Sequence, residues 1–150
     1  MKAIHLIKTF LLLALVATVS VRCSCDDTKQ PAKTITQIIG SNTAWKIASA
    51  SVGSAVQNTG YADFRVTFTA TGSYTITRGG APFSPSKTAG QTGTWKLNST
   101  GKIITLDAGA TERIVDLSNV KESPATATIS WTDDSDKLKP VITFNLVPAQ

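Results

Sequence analysis

The sequence predicts an all-β domain: an antiparallel meander of about eight strands that closes into a small barrel or flattens into a sandwich, preceded by a short helix. Three observations predict it. Period-two alternation recurs along the chain, in Phe64-Arg65-Val66-Thr67-Phe68-Thr69, Tyr74-Thr75-Ile76-Thr77, Trp95-Lys96-Leu97-Asn98 and Ile129-Ser130-Trp131-Thr132. Alternate side chains of a strand face opposite ways, so each segment has one apolar and one polar face. The connections carry turn residues, such as Thr71-Gly72, Ser99-Thr100-Gly101 and the polar Asp133–Asp136 segment. No stretch between strands is long and apolar enough for a crossover helix, which argues against parallel βαβ units.

The elements follow in chain order. Lys2 and Lys8 give a positive start, and Phe10 to Val21 is an almost unbroken apolar run. A secretory signal has an apolar region of ~7–15 residues, whereas a bilayer span needs ~20. The run is of the first kind, and without amphipathic spacing or a helix cap it does not read as a core helix. Residues 1–24 are therefore expected to be a signal peptide. Cys23 and Cys25 follow, too close together for an ordinary unstrained disulfide. A metal site would need more ligands than the single His5 offers. Lipid attachment remains, and Ser24 before Cys25 suits it better than Arg22 before Cys23. This stretch resembles the lipobox of bacterial lipoproteins, which implies Cys25 as the lipid attachment site. In lipoproteins of the Bacteroidetes type, acidic residues after the cysteine, here Asp26 and Asp27, imply export to the outer face of the outer membrane. In other Gram-negative bacteria, aspartate at the first of these positions implies retention at the inner membrane.

Residues 25–33, polar and containing Pro31, read as a flexible tether, and residues 34–150 as the domain. Thr34 to Ile39 suits a short helix ended by Gly40, since glycine past a last turn readily adopts the left-handed conformation. The expected strands run Trp45–Val52, Asp63–Ala70, Ser73–Arg78, Thr92–Asn98, Lys102–Asp107, Glu112–Leu117, Ala125–Thr132 and Leu138–Val147. Pro140 lacks a donor and marks an edge, a bulge or a strand beginning. Closure into a barrel removes exposed edges, which a sandwich retains.

A leading Trp45 strand is followed by Phe64-x-Val-x-Phe-x-Ala-x-Gly-x-Tyr74, then by Gly93-Thr-Trp-Lys-Leu97. Over about residues 42 to 148 this resembles the lipocalin-like lipoproteins of Bacteroidetes. The resemblance implies a lipocalin-like barrel held at the cell envelope, lipid-anchored to the outer membrane.

Composition narrows the chemistry. The chain has 15 basic and 10 acidic residues. Loss of Lys2, Lys8 and Arg22 with the signal leaves 12 basic residues against 10 acidic ones. No basic cluster with interleaved aromatics remains, so nucleic acid is not an expected partner. Beyond Cys25 the chain has neither His nor Cys, which excludes Ser-His and Cys-His nucleophiles and a histidine zinc site. Asp107, Glu112 and Asp116 read as solvated strand ends, and Asp133, Asp134 and Asp136 as a hairpin tip rather than a calcium loop. No catalytic residue, metal or cofactor is expected. Trp45, Trp95, Trp131 and Phe83, the last in a long loop, are the candidate ligand-binding residues, against the plainer reading that all four pack the core. The expected function is non-enzymatic: a lipid-anchored envelope protein that binds a small apolar molecule or a glycan. The alternative is a structural or accessory module that contacts another envelope protein and takes no small ligand.

Overall fold

A computed structural model of the chain describes residues 30–87 and 92–150. Cys25, Asp26, Asp27 and the signal region lie outside the described residues. Helix α1 spans Ile35–Ile39. Thr34 starts it with a reciprocal cap: its hydroxyl accepts from Gln37 N at 3.3 Å, and its own N–H donates to Gln37 Oε1 at 2.8 Å. The cap satisfies two amides that a helix start otherwise leaves open. Gly40 is not left-handed as expected: its φ is −85°. Close approach is what requires glycine. A Cβ there would stand 2.9 Å from Thr36 O, 3.2 Å from Trp95 Cζ2 and 3.3 Å from Ala70 Cα. The helix thereby packs onto the end of the barrel, with Ile39 buried.

The strands are β1 (Ser41–Val52), β2 (Ala55–Val56), β3 (Arg65–Thr69), β4 (Ser73–Thr77) and β5 (Thr92–Leu97). They continue with β6 (Ile103–Leu106), β7 (Arg113–Glu122), β8 (Ala125–Thr132) and β9 (Val141–Pro148). All pairings are antiparallel and, apart from β1 with β3 and β1 with β9, join consecutive strands. β1 pairs with β3 along its first half and with β9 from Trp45↔Pro148 to Val52↔Ile142. That last ladder closes eight strands into a barrel and sets aside the sandwich. The two-residue β2 folds back on the end of β1.

All eight expected strands form, and their boundaries shift where bulges hide the alternation. β1 begins four residues before Trp45. The register slips between Ser41 and Ala44, where Asn42 has φ 60°, so these residues do not alternate. β7 continues five residues beyond Leu117, past a second slip between Ser118 and Lys121, with Asn119 at φ 51°. Pro140 immediately precedes β9, and its carbonyl accepts from Asp133 N at 2.9 Å.

Alternation delivers the core. Val66 and Phe68, Tyr74 and Ile76, Ile104 and Leu106, Val115 and Leu117, and Ile142, Phe144 and Leu146 all point inward and are at most 4% exposed. Phe144 sits at the centre of an edge-to-face cluster. Its ring centroid lies 4.9 Å from Trp131, 5.1 Å from Tyr61 and 5.4 Å from Phe64. The quadrupoles of aromatic rings favour this geometry over face-to-face stacking.

Candidate functional site

Strand directions define two ends. The lower end holds α1, the start of β1, the end of β9 and the 70–72, 98–102 and 123–124 turns. The upper end holds the connections 53–64, 107–112 and 133–140 and residues 78–87. The sequence-proposed aromatic residues divide between them. Trp45 is buried at the lower end, beside a cavity of about 150 Å³ that Gln37, Ile38 and Thr43 also line. Its indole N–H is buried and has no hydrogen-bond partner among the described residues. Lys33 pairs with Glu122 near this cavity, Nζ to Oε1 at 3.3 Å. Both side chains are well exposed, so the pair contributes little to stability. Trp95 packs edge-on to Phe68 at 5.3 Å and donates its N–H to Thr69 O at 2.9 Å. Trp131 is buried at the upper end. Among the described residues no ring contact joins any two of the three tryptophans.

Phe83 is half-buried and packs against the core. Its loop is fixed to the barrel by a polar cluster. Tyr74 Oη lies 2.7 Å from Ser86 Oγ and bonds Asp107 Oδ2, while Asp107 Oδ1 accepts from Thr94 N at 3.1 Å. The cluster requires Gly93, where a Cβ would come within 2.7 Å of the Tyr74 ring. Gly93-Thr94-Trp95 is thus a packing motif: the glycine admits Tyr74 and the tryptophan lies against Gly40, the residue that ends α1. Asp107, one of the three acids near consecutive strands, is engaged in this cluster.

The polar hairpin tip is likewise tied into its own turn. Asp133 Oδ1 accepts from Ser135 Oγ at 2.7 Å and from Ser135 N at 3.0 Å, and Asp136 Oδ1 accepts from Leu138 N at 2.9 Å. The Ser135 hydroxyl is the main cause holding the Asp133 carboxyl below its ordinary range, with the Ser135 N–H and Arg113 adding to it against partial burial. Asp134 pairs with Lys87 at 3.6 Å.

On the upper end the β7–β8 ladder stops short of the strand ends. β7 pairs with β6 up to Leu106↔Arg113, but its ladder with β8 begins only at Asp116↔Ser130. Over Arg113–Val115 on one side and Trp131–Thr132 on the other, the two strands are not paired. A cavity of about 260 Å³ lies here, lined by Arg113, Ile114 and Asp116 from β7 and by Trp131 and Thr132 from β8. Arg113 is 9% exposed, the one charged residue in the core among the described residues. Its Nη1 donates to Thr132 O at 2.6 Å, across the gap. Its Nε–H is buried with no partner, and no carboxylate reaches ion-pair distance among the described residues. A guanidinium carries five N–H donors in a fixed fork, so most of this one is unused.

Arg113 was not among the residues singled out from sequence. The signal was available. In Arg113-Ile114-Val115-Asp116-Leu117 it shares parity with Val115 and Leu117, which face inward.

No known protein family matches this chain in a scan, and a search of curated proteins returned no significant similarity. The site therefore has to be read from its own geometry.

Proposed function

We propose that this chain is a non-enzymatic, lipid-anchored binding protein of the cell envelope, with a lipocalin-like barrel that takes a small ligand at its upper end. The observation that carries the reading is the unpaired stretch between β7 and β8 beside Trp131, with the cavity that lies at it. Trp131 and Ile114 give apolar surface to a lining that is otherwise polar and charged, and convergent polar groups of that kind fix the orientation of a small ligand. The chain enters the barrel at the lower end through α1. Lipidation of Cys25, the outer-membrane location and the kinship with Bacteroidetes lipocalin-like lipoproteins belong to the same proposal. They are supported by the sequence around Ser24-Cys25-Asp26-Asp27 and by the strand motifs.

The test has two parts. The wild-type chain is expected to incorporate labelled palmitate and to fractionate with membranes, and Cys25→Ala to do neither; a Cys25→Ala form that still labels refutes the anchor. Tryptophan fluorescence and melting temperature are expected to respond to at least one member of fatty-acid and oligosaccharide panels. No response to any member removes the small-ligand reading.

A specific observation favours the accessory-module reading as the alternative. Among the described residues the large apolar side chains that remain exposed, Val56, Ile114, Leu138 and Val141, belong to upper-end segments, with Leu138 88% exposed. Apolar surface of that kind suits contact with another envelope protein.

A further inference from the structure

From the state of Arg113 we infer that the cavity at the unpaired stretch between β7 and β8 binds a small organic monocarboxylate, its carboxylate on the Arg113 guanidinium and its apolar body against Trp131. This deepens the binding-protein reading above and rests on it.

Burial of a cation is costly unless a partner offsets it. Arg113 lies on an inward-facing position with one hydrogen bond to a backbone carbonyl, a buried Nε–H with no acceptor and no paired carboxylate among the described residues. Asp133 is close enough to feel its charge, but is bound to Ser135 and forms no ion pair with it. A guanidinium fork matches a carboxylate in geometry, through two parallel N–H···O bonds. The arginine is one of the residues that line the 260 Å³ cavity.

The surroundings select among anions. Glu112, Asp116 and Asp134 border the same cavity, with Lys87 the only other cation lining it, so acids outnumber bases. A dianion such as a phosphate monoester is repelled by this rim more strongly than a singly charged carboxylate. On the apolar side, Trp131 offers an indole surface. The cavity is slightly below the ~300–1,000 Å³ typical of ligand pockets, which restricts the body to about one ring or a short chain.

The experiment uses the full chain, solubilised, and titrates it with benzoate, benzamide and phenyl phosphate. Binding is followed by the Trp131 indole and Arg113 side-chain NMR signals and by melting temperature. Benzoate is expected to shift both side-chain signals and to bind at least ~10-fold more tightly than benzamide, since a hydrogen-bonded charge pair contributes more than a neutral one. Phenyl phosphate is expected to bind more weakly than benzoate. In Arg113→Met, with its fold checked by circular dichroism, the preference for benzoate over benzamide is expected to vanish. Equal binding of benzoate and benzamide by the wild-type chain overturns the inference. So does tighter binding of phenyl phosphate, or a benzoate response confined to the lower end. Absence of any benzoate response overturns it too. If a neutral oligosaccharide then binds at the upper end, the broader reading stands while the carboxylate inference falls; if nothing binds, both fall.

Discussion

Replacing Arg113 with methionine separates a ligand-binding arginine from a structural strut, because the two roles predict opposite signs. In the unliganded protein the arginine contributes one charge-assisted bond, Nη1 to Thr132 O at 2.6 Å. Such a bond contributes about 1.5–3 kcal/mol. Thr132 is exposed, so water can replace the guanidinium at its carbonyl and recover part of that. Against it stands the desolvation of a cation that is 9% exposed and has no paired carboxylate among the described residues, a penalty on the order of several kcal/mol. Methionine removes the penalty and fills the space with a flexible thioether that packs well against Trp131. The balance favours Arg113→Met by about 1 kcal/mol, which for a domain of this size raises the melting temperature by about 3–4 °C. Arg113→Lys keeps a buried charge, loses the fork and is expected to lower it. Differential scanning calorimetry without ligand reads both. A fall of more than about 5 °C in Arg113→Met would mean that the arginine holds β7 to β8 structurally, and would refute the claim that its charge is uncompensated.

Three further outcomes are expected. Tyr61 carries a buried hydroxyl with no partner among the described residues, so Tyr61→Phe is expected to gain about 1 kcal/mol at neutral pH while keeping the edge-on contact with Phe144. Burial also raises the Tyr61 pKa above 10.0, so stability is lost in the wild type as pH rises from 10.0 through the higher folded value. Tyr61→Phe is expected to show a shallower alkaline decline in melting temperature, and an unchanged decline contradicts the assignment. For Asp133 the sign is reversed. Its folded pKa lies below 3.8, chiefly through the Ser135 hydroxyl, so its contribution is present above pH 3.8 and lost as pH falls through the lower folded value. The melting-temperature gap between wild type and Asp133→Asn should therefore close in acid; a gap that widens there refutes it. Gly79 and Gly53 form a matched pair, with φ 56° and 58°. A Cβ at Gly79 would lie 2.7 Å from Asp63 C and 2.8 Å from Asp63 O, whereas Gly53 faces open space. Gly53→Ala is expected to cost only the left-handed backbone term of ~1–2 kcal/mol. Gly79→Ala is expected to cost clearly more in chemical denaturation, and equal costs would refute the packing argument.

The fold was legible because its rule is local. A strand of a small barrel exposes one face to a closed core and the other to water, so period two appears in the sequence itself, and all eight expected strands form. What the alternation could not show is where it is interrupted. The bulges at Asn42 and Asn119 place two residues opposite one, and a parity count reads them as strand ends. Barrel closure was not decided by pattern either. It rests on β1 pairing with β9 across almost the whole chain, and strand content is the same in a sandwich. Gly40 was read as a left-handed cap from its place after α1. The requirement instead comes from Trp95 and Ala70, distant in sequence, which only the packed structure brings to it.

The site was harder to read for a related reason. Tryptophan draws attention in a sequence because it is large and rare, yet size is also what makes Trp45, Trp95 and Trp131 core residues. Their burial by itself says nothing of a ligand. A charged residue at an inward position is the more telling mark, because packing alone gives it no reason to be there. Asp107 and Arg113 show how such marks are to be weighed. Asp107 directly follows β6 and is tied to Tyr74, Ser86 and the Thr94 amide, so its polarity is engaged in holding residues 78–87 to the barrel. Arg113 begins β7 directly across the turn and is left with a buried Nε–H unsatisfied where the β7–β8 ladder stops. A polar group that is buried and satisfied explains a fold; one that is buried and unsatisfied beside a cavity calls for a partner. By that criterion the upper end of β7 is where a ligand should be sought first, and the neighbouring Trp131 is the natural reporter of its arrival.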